Sequence, residues 1–199
     1  MSIYKIIKSN GNPDWSTVPK LHTDCVLWEP YCGVEMTQQI YYDDAALHIR
    51  QQAKEANIRE EYSVPLSPVH EDSCMEFFFA VGLDDRYFNF EINPNACFDI
   101  GFGPNRNNRV RLCHRLEEKI FGAKCYKTED GWAAEYQIPI SFIQVFYPEF
   151  SLCPGTRFRA NCYKCGDKTK HVHFLSWNEI PLDKPNFHCP EFFGEMILE

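Results

Sequence analysis

A chain of 199 residues with a formal net charge of −8 lacks the Lys/Arg excess that a phosphate backbone demands, and it has no apolar run near the ~20 residues of a membrane-crossing helix. Nucleic acid and membrane are therefore not its expected partners. Hydrophobic residues make up 44% and aromatic ones 15%, enough for a sizeable core, and no Pro/Gly/Ser-rich stretch divides the chain, so 1–199 reads as one domain.

Met1-Ser2-Ile3-Tyr4-Lys5 is too short and polar for a signal peptide, which points to the cytoplasm, or to the outside if a leader has been removed. The following runs carry Phe, Tyr, Val and Ile on one phase of a two-residue period. They predict strands over 34–42 and 45–52. Next comes a hairpin over 73–94, in which Met75, Phe77, Phe79 and Val81 alternate with Cys74, Glu76 and Phe78. Leu83-Asp84-Asp85 turns it, Phe88, Phe90 and Ile92 answer against Tyr87, Asn89 and Glu91, and Asn93-Pro94-Asn95 closes it. Further strands are expected over 97–102, 108–114, 119–126 and 131–138.

Helix is scarce: Ser141 can cap one short turn carrying Phe142, Ile143, Val145 and Phe146, which Pro148 stops. Strands over 156–164 and 193–198 complete the chain. The expected fold is all-β, an antiparallel two-sheet β-sandwich with one short helix. The ten cysteines are scattered and several sit inside apolar runs, so reduced, buried thiols are favoured over a disulfide framework.

With the apolar phases in the core, the opposite phases present Arg50, Glu76, Asn89, Glu91, Arg109, Arg111, Arg159, Asn161 and Tyr163. Carboxylates, amides and guanidinium groups suit sugar hydroxyls, each both donor and acceptor, but they equally suit a solvated face of cross-strand ion pairs in which Arg50, Arg109 and Arg111 neutralise Glu76 and Glu91.

The phrase Asp72-Ser73-Cys74-Met75-Glu76-Phe77-Phe78-Phe79 resembles the acidic strand of family 9 carbohydrate-binding modules and the wider DOMON-like superfamily. Tyr42 to Ile49, Phe90 to Asn93, Gly131 to Pro139, Asn161 to Lys164, Leu175 to Trp177 and Phe187 to Gly194 resemble its other segments in the same order, over about residues 40–198. The resemblance implies a non-catalytic module that holds a saccharide, notably the reducing end of a glucan or xylan, between two tryptophan faces. On it, Glu76 matches the sugar-bonding carboxylate, His70 stands in place of the first Trp and Phe187 in place of the second. Glu91 falls where the family carries an Arg.

The expected ligand-binding set is His70, Glu76, Glu91, Asn161, Trp177 and Phe187, with Trp132 in the core. Phe187 reads either as core packing or as a stacking face. The alternatives are a structural or protein-interaction sandwich that has lost its sugar, and a metal- or haem-binding relative.

No cofactor is expected. Cys162-x-x-Cys165 with His171-x-His173 offers zinc ligands, but on a strand the two thiols point to opposite faces. A redox dithiol normally sits at a helix N-terminus. Met36 and Met75 form no Met/His pair that would match a haem site, and Asp43-Asp44 reads as a turn as readily as a calcium site. The G-x-S-x-G, H-E-x-x-H and P-loop motifs are missing from the sequence, and Glu76 and Glu91 on a flat, hydrated face would keep ordinary acidities, so no enzyme is expected.

Overall fold

Alternation decides the strands, and it is clearest in the middle of the chain. The computed structural model describes residues 2–11, 13–31, 33–112 and 117–199, the side chains of 117 and 118 excepted. In chain order the strands are β1 (Ile3–Lys8), β2 (Leu21–Thr23), β3 (Cys25–Val26), β4 (Glu35–Tyr42), β5 (Ala46–Lys54), β6 (Cys74–Ala80), β7 (Tyr87–Ile92), β8 (Phe98–Gly103) and β9 (Val110–Leu112). Helix α1 (Glu117–Phe121) precedes β10 (Lys124–Lys127) and β11 (Gly131–Pro139). Helix α2 (Ile140–Gln144), β12 (Arg157–Cys165), β13 (Phe174–Ser176) and β14 (Gly194–Leu198) follow.

The main path runs β10-β11-β5-β4-β1-β14-β12-β6-β7-β8-β9. The expected all-β class holds, but the strictly antiparallel pair of sheets is corrected to one curled, mixed sheet. Strand β1 is the cause. Its first half, Ile3 to Ile6, runs parallel to β14, and Ile7 and Lys8 run parallel to β4, so one strand stitches the two halves together. The single helix is corrected too. Helix α1 takes the start of the strand expected over 119–126, and α2 is preceded by Pro139, with no side-chain cap from Ser141. Residues 113 and 114 of the expected strand 108–114 lie outside the described residues.

The sheet curls around its apolar phases. Phe77, Phe79, Phe88, Phe90 and Phe98 from one half meet Ile40, Leu47, Ile49, Trp132 and Tyr136 from the other, with Phe142 of α2 packed against them. Each fully buried side chain of this size contributes about 1.5–3 kcal/mol.

The reverse face of β12-β6-β7-β8 is also covered. Phe78, Tyr87 and Tyr163 form a second cluster with Leu27, Phe174, Ile180, Phe187 and Phe193, which belong to segments folded over the sheet. That cover converts a sheet face into the floor of a cleft. Among the described residues no helix is long and apolar enough to cross a membrane.

Candidate functional site

Strand register puts a row of acids on the covered face. Tyr163 of β12, Glu76 of β6, Glu91 of β7 and Asp99 of β8 are direct cross-strand partners, each pointing away from the core. Directly opposed side chains start about 4.5–5.5 Å apart at Cβ, and like charges there repel. Asp99 is neutralised: Arg111 donates to it in a fork, from Nε at 3.0 Å and Nη2 at 2.6 Å, and Arg109 Nη2 lies 3.8 Å away.

Among the described residues, Glu76 and Glu91 have no such fork. Glu76 accepts from the Cys165 thiol at 3.1 Å, and Glu91 accepts from Asn89 Nδ2 at 3.0 Å. They are only 2% and 3% exposed. Burial pushes the Glu76 carboxyl up to about 8, partly offset by the thiol and by Arg109. Burial, with Glu76 and Asp99 as neighbours, pushes Glu91 well above the carboxylate range. The hydrated face with ordinary acidities is thereby overturned, and so are the expected ion pairs. Arg109 and Arg111 bind Asp99, while Arg50 lies on β5 beside Glu135 at 3.5 Å.

One edge of the cleft is an Arg–His–Tyr chain. Arg109 Nη1 donates to His188 Nε2 at 2.5 Å, and the ring's Nδ1 lies 2.8 Å from Tyr87 Oη. Burial and Arg109 push the imidazole down to about 2, so the ring is neutral. Gly101 makes room for this, since a Cβ there would collide with Asn89 Oδ1 and the Arg109 side chain.

The opposite wall is aromatic. Phe187 stacks on Tyr163 at 4.2 Å with 5° between planes, and Tyr163 Oη donates to the Phe187 carbonyl at 3.1 Å. Trp28 lies 5.6 Å from Phe187 and 5.5 Å from Phe174. Its indole N–H donates to Leu182 O at 2.6 Å. Trp28 also holds φ +52, a left-handed backbone that a bulky residue rarely adopts, so packing and the indole bond fix a ring whose face stays half-exposed. Trp28, Phe174, Phe187, Glu76, Glu91, Arg109 and His188, together with His70, Arg106 and Asp167, line a cleft of about 490 Å³, the open space at its mouth included.

The strands that floor this cleft, β6, β7, β8 and β12, all fall within the match to one family. The family model for carbohydrate-binding family 9 covers residues 13–198. The chain belongs to carbohydrate-binding family 9. That family is one of non-catalytic carbohydrate-binding modules, and the chain is such a module.

Among solved structures, a presumed carbohydrate-binding protein from Bacteroides uniformis ATCC 8492 is 28% identical over 99% of both chains, with a TM-score of 0.84. A family 9 module from Caldicellulosiruptor kristjanssonii in complex with cellotriose is 14% identical, covering 98% of this chain and 94% of that one, with a TM-score of 0.69. The same organism's module in complex with glucose is 15% identical, with 98% and 96% covered and a TM-score of 0.67. No curated protein matches this chain.

Within this module His70, Glu76, Glu91 and Phe187 line one cleft. Asn161 and Trp177 stand apart from it. Asn161 shares the floor's phase, but its amide is engaged with the chain above: Nδ2 donates to Asn178 O at 3.0 Å and Oδ1 accepts from Asn178 N at 2.9 Å. Trp177 packs against the main core, and Trp132 is fully buried there.

Sequence reasoning missed Trp28, Phe174, Asp99 and His188. Trp28 precedes Glu29-Pro30 outside any periodic run, and a large aromatic in such a polar turn was the available signal. Asp99 and His188 carried no signal without the register.

The zinc pattern divides as its spacing required. Cys162 faces the main core and Cys165 the cleft. His171 stacks on Tyr31 at 4.7 Å, and His173 Nε2 lies 2.9 Å from the buried Lys164 ammonium, which pairs with Glu55 at 3.1 Å. Asp43 serves as a turn residue, accepting from the Ala45 and Ala46 amides at 2.8 Å each. Met36 and Met75 are core side chains.

Proposed function

We propose that the cleft over β12-β6-β7-β8 is the saccharide site, and that the chain acts as a single binding unit without chemistry of its own. The observation that carries this is the meeting of an aromatic wall, Trp28 and Phe187, with the paired carboxyls Glu76 and Glu91 in one cleft. A pyranose lays its axial C–H groups on an aromatic face and turns its hydroxyls outward. Each hydroxyl needs a donor and an acceptor. A buried carboxyl that keeps its proton near neutral pH supplies both, as a carboxylate cannot. Arg109 and His188 extend the polar edge, and His70 adds a second imidazole to the lining.

The cleft is open at one side and floored by the sheet, an arrangement that suits a short saccharide or a chain end. Glucose and cellotriose, bound by two solved family 9 modules, are the first ligands to test. Glu76 and Glu91 lie side by side in register, facing one side of a ligand rather than flanking a bond, which supports binding over hydrolysis. The wider DOMON-like kinship rests on the sequence motifs.

Calorimetric titration with a panel of saccharides that includes glucose and cellotriose tests the reading. One or more should bind, with Glu76→Gln and Trp28→Ala each weakening binding about tenfold. A folded protein that binds no saccharide in the panel or on a glycan array would overturn it.

A further inference from the structure

Behind the Glu76 carboxyl the cleft floor holds two thiols. Cys74 and Cys165 are direct cross-strand partners of β6 and β12, so their side chains emerge side by side on the cleft face. Glu76 is two residues along the same strand and phase. The two Sγ atoms and a carboxylate oxygen of Glu76 all lie within 4.8 Å of one another, and the three residues are at most 2% exposed.

We propose that Cys74, Cys165 and Glu76 form a binding site for a thiophilic divalent cation of the zinc class, with its fourth position open to the cleft. Two sulfurs and an oxygen about 2.0–2.3 Å from a tetrahedral ion are separated by roughly 3.5–3.8 Å. Cys165 Sγ lies 3.1 Å from Glu76 Oε1, and no two of the three donor atoms are more than 4.8 Å apart. Changes in separation of at most about 1.3 Å therefore bring each pair to that spacing.

The donors suit this ion and few others. Two thiolates select against calcium and magnesium, which take oxygen ligands, and three protein ligands with one open position make a site that can accept a water or a ligand oxygen. Glu76 and Cys165 line the cleft, so the open position faces the space where a ligand enters. Among the described residues no arginine or lysine forms an ion pair with Glu76, and the hydrogen bond it accepts comes from one of these thiols. Binding the ion releases the protons of both thiols and of any protonated Glu76 carboxyl, so loading tightens as pH rises. The inference stands apart from the saccharide reading, because the ion is titrated with no sugar present.

The test is titration of the full, reduced, chelator-treated chain with Co²⁺ and then Zn²⁺. One Co²⁺ per chain should give thiolate charge-transfer and tetrahedral ligand-field bands, which Zn²⁺ then bleaches. X-ray absorption of the wild-type zinc form should show two sulfur scatterers at about 2.3 Å with lighter atoms completing the shell. Cys165→Ser and Glu76→Gln, checked for an unchanged near-UV circular dichroism spectrum, should weaken binding by about 100-fold and about tenfold, while Cys153→Ser keeps it. Failure to retain metal after desalting, a shell without sulfur, or undiminished bands in folded Cys165→Ser would overturn the site.

Discussion

The two faces of the β6–β7 hairpin are equally dry and chemically opposite. Met75, Phe77, Phe79, Phe88 and Phe90 on one face and Cys74, Glu76, Phe78, Asn89 and Glu91 on the other are all buried. The first set meets another half of the sheet, side chain to side chain. The second meets loops that leave a cleft, so its carboxyls are desolvated without being packed shut or neutralised by a fork. Burial alone thus marks neither core nor site. What separates them is whether buried groups are satisfied by one another or held ready for something else.

The comparison breaks most sharply under truncation. Phe77→Ala or Phe90→Ala on the core face should lower unfolding free energy by about 3–5 kcal/mol, read by chemical denaturation. Glu91→Gln on the cleft face should leave stability unchanged or raised, because it removes a buried group whose charged form is disfavoured. An equal loss from Glu91→Gln would erase the distinction.

Next in size is a pH effect. The folded protein holds the Glu76 proton up to about 8, whereas the unfolded chain releases it in the ordinary carboxylate range. The folded state therefore binds more protons across that window. Its contribution is full below the unfolded value and is lost as pH rises through the folded one. In chelator, Glu76→Gln should gain on wild type by a few kcal/mol between about pH 5 and pH 9. A constant difference across that range would contradict the assigned environment.

Asn161→Ala should cost about 1–3 kcal/mol, because the buried Asn178 backbone loses its partners, yet leave saccharide affinity within about twofold. Denaturation and calorimetry on the same variant separate the two. The smallest effect is expected on the far half of the sheet: Arg50→Ala, removing a part-exposed pair with Glu135, should shift stability by about 0–1 kcal/mol and binding not at all.

Alternation made the strands legible: the hairpin, β4, β5, β11 and β12 lie within a residue or two of where the period-two pattern put them. The short strands β2, β3 and β13 were not legible, because two or three residues carry no period. Nor was the parallel stitching by β1, which depends on partners about 190 residues away along the chain. For the site, phase told that Glu76 and Glu91 share a face. It could not tell that distant loops cover that face, and so it gave them water they do not have. Asn161 shows the same limit from the other side: the right phase, but closed over by Asn178.

The chain's four tryptophans supply the most direct measurement of the central claim. Trp28 is in the cleft, Trp132 in the core, Trp177 against the core edge and Trp15 beside Tyr41 on the far half. Their indole N–H signals, assigned by single Trp→Phe substitutions, can be followed by NMR while the best-binding saccharide is titrated. The account predicts a saturating shift of the Trp28 signal with those of Trp132 and Trp15 unmoved. A saturating shift of Trp15 or Trp177 with Trp28 unchanged would place the saccharide elsewhere and contradict it.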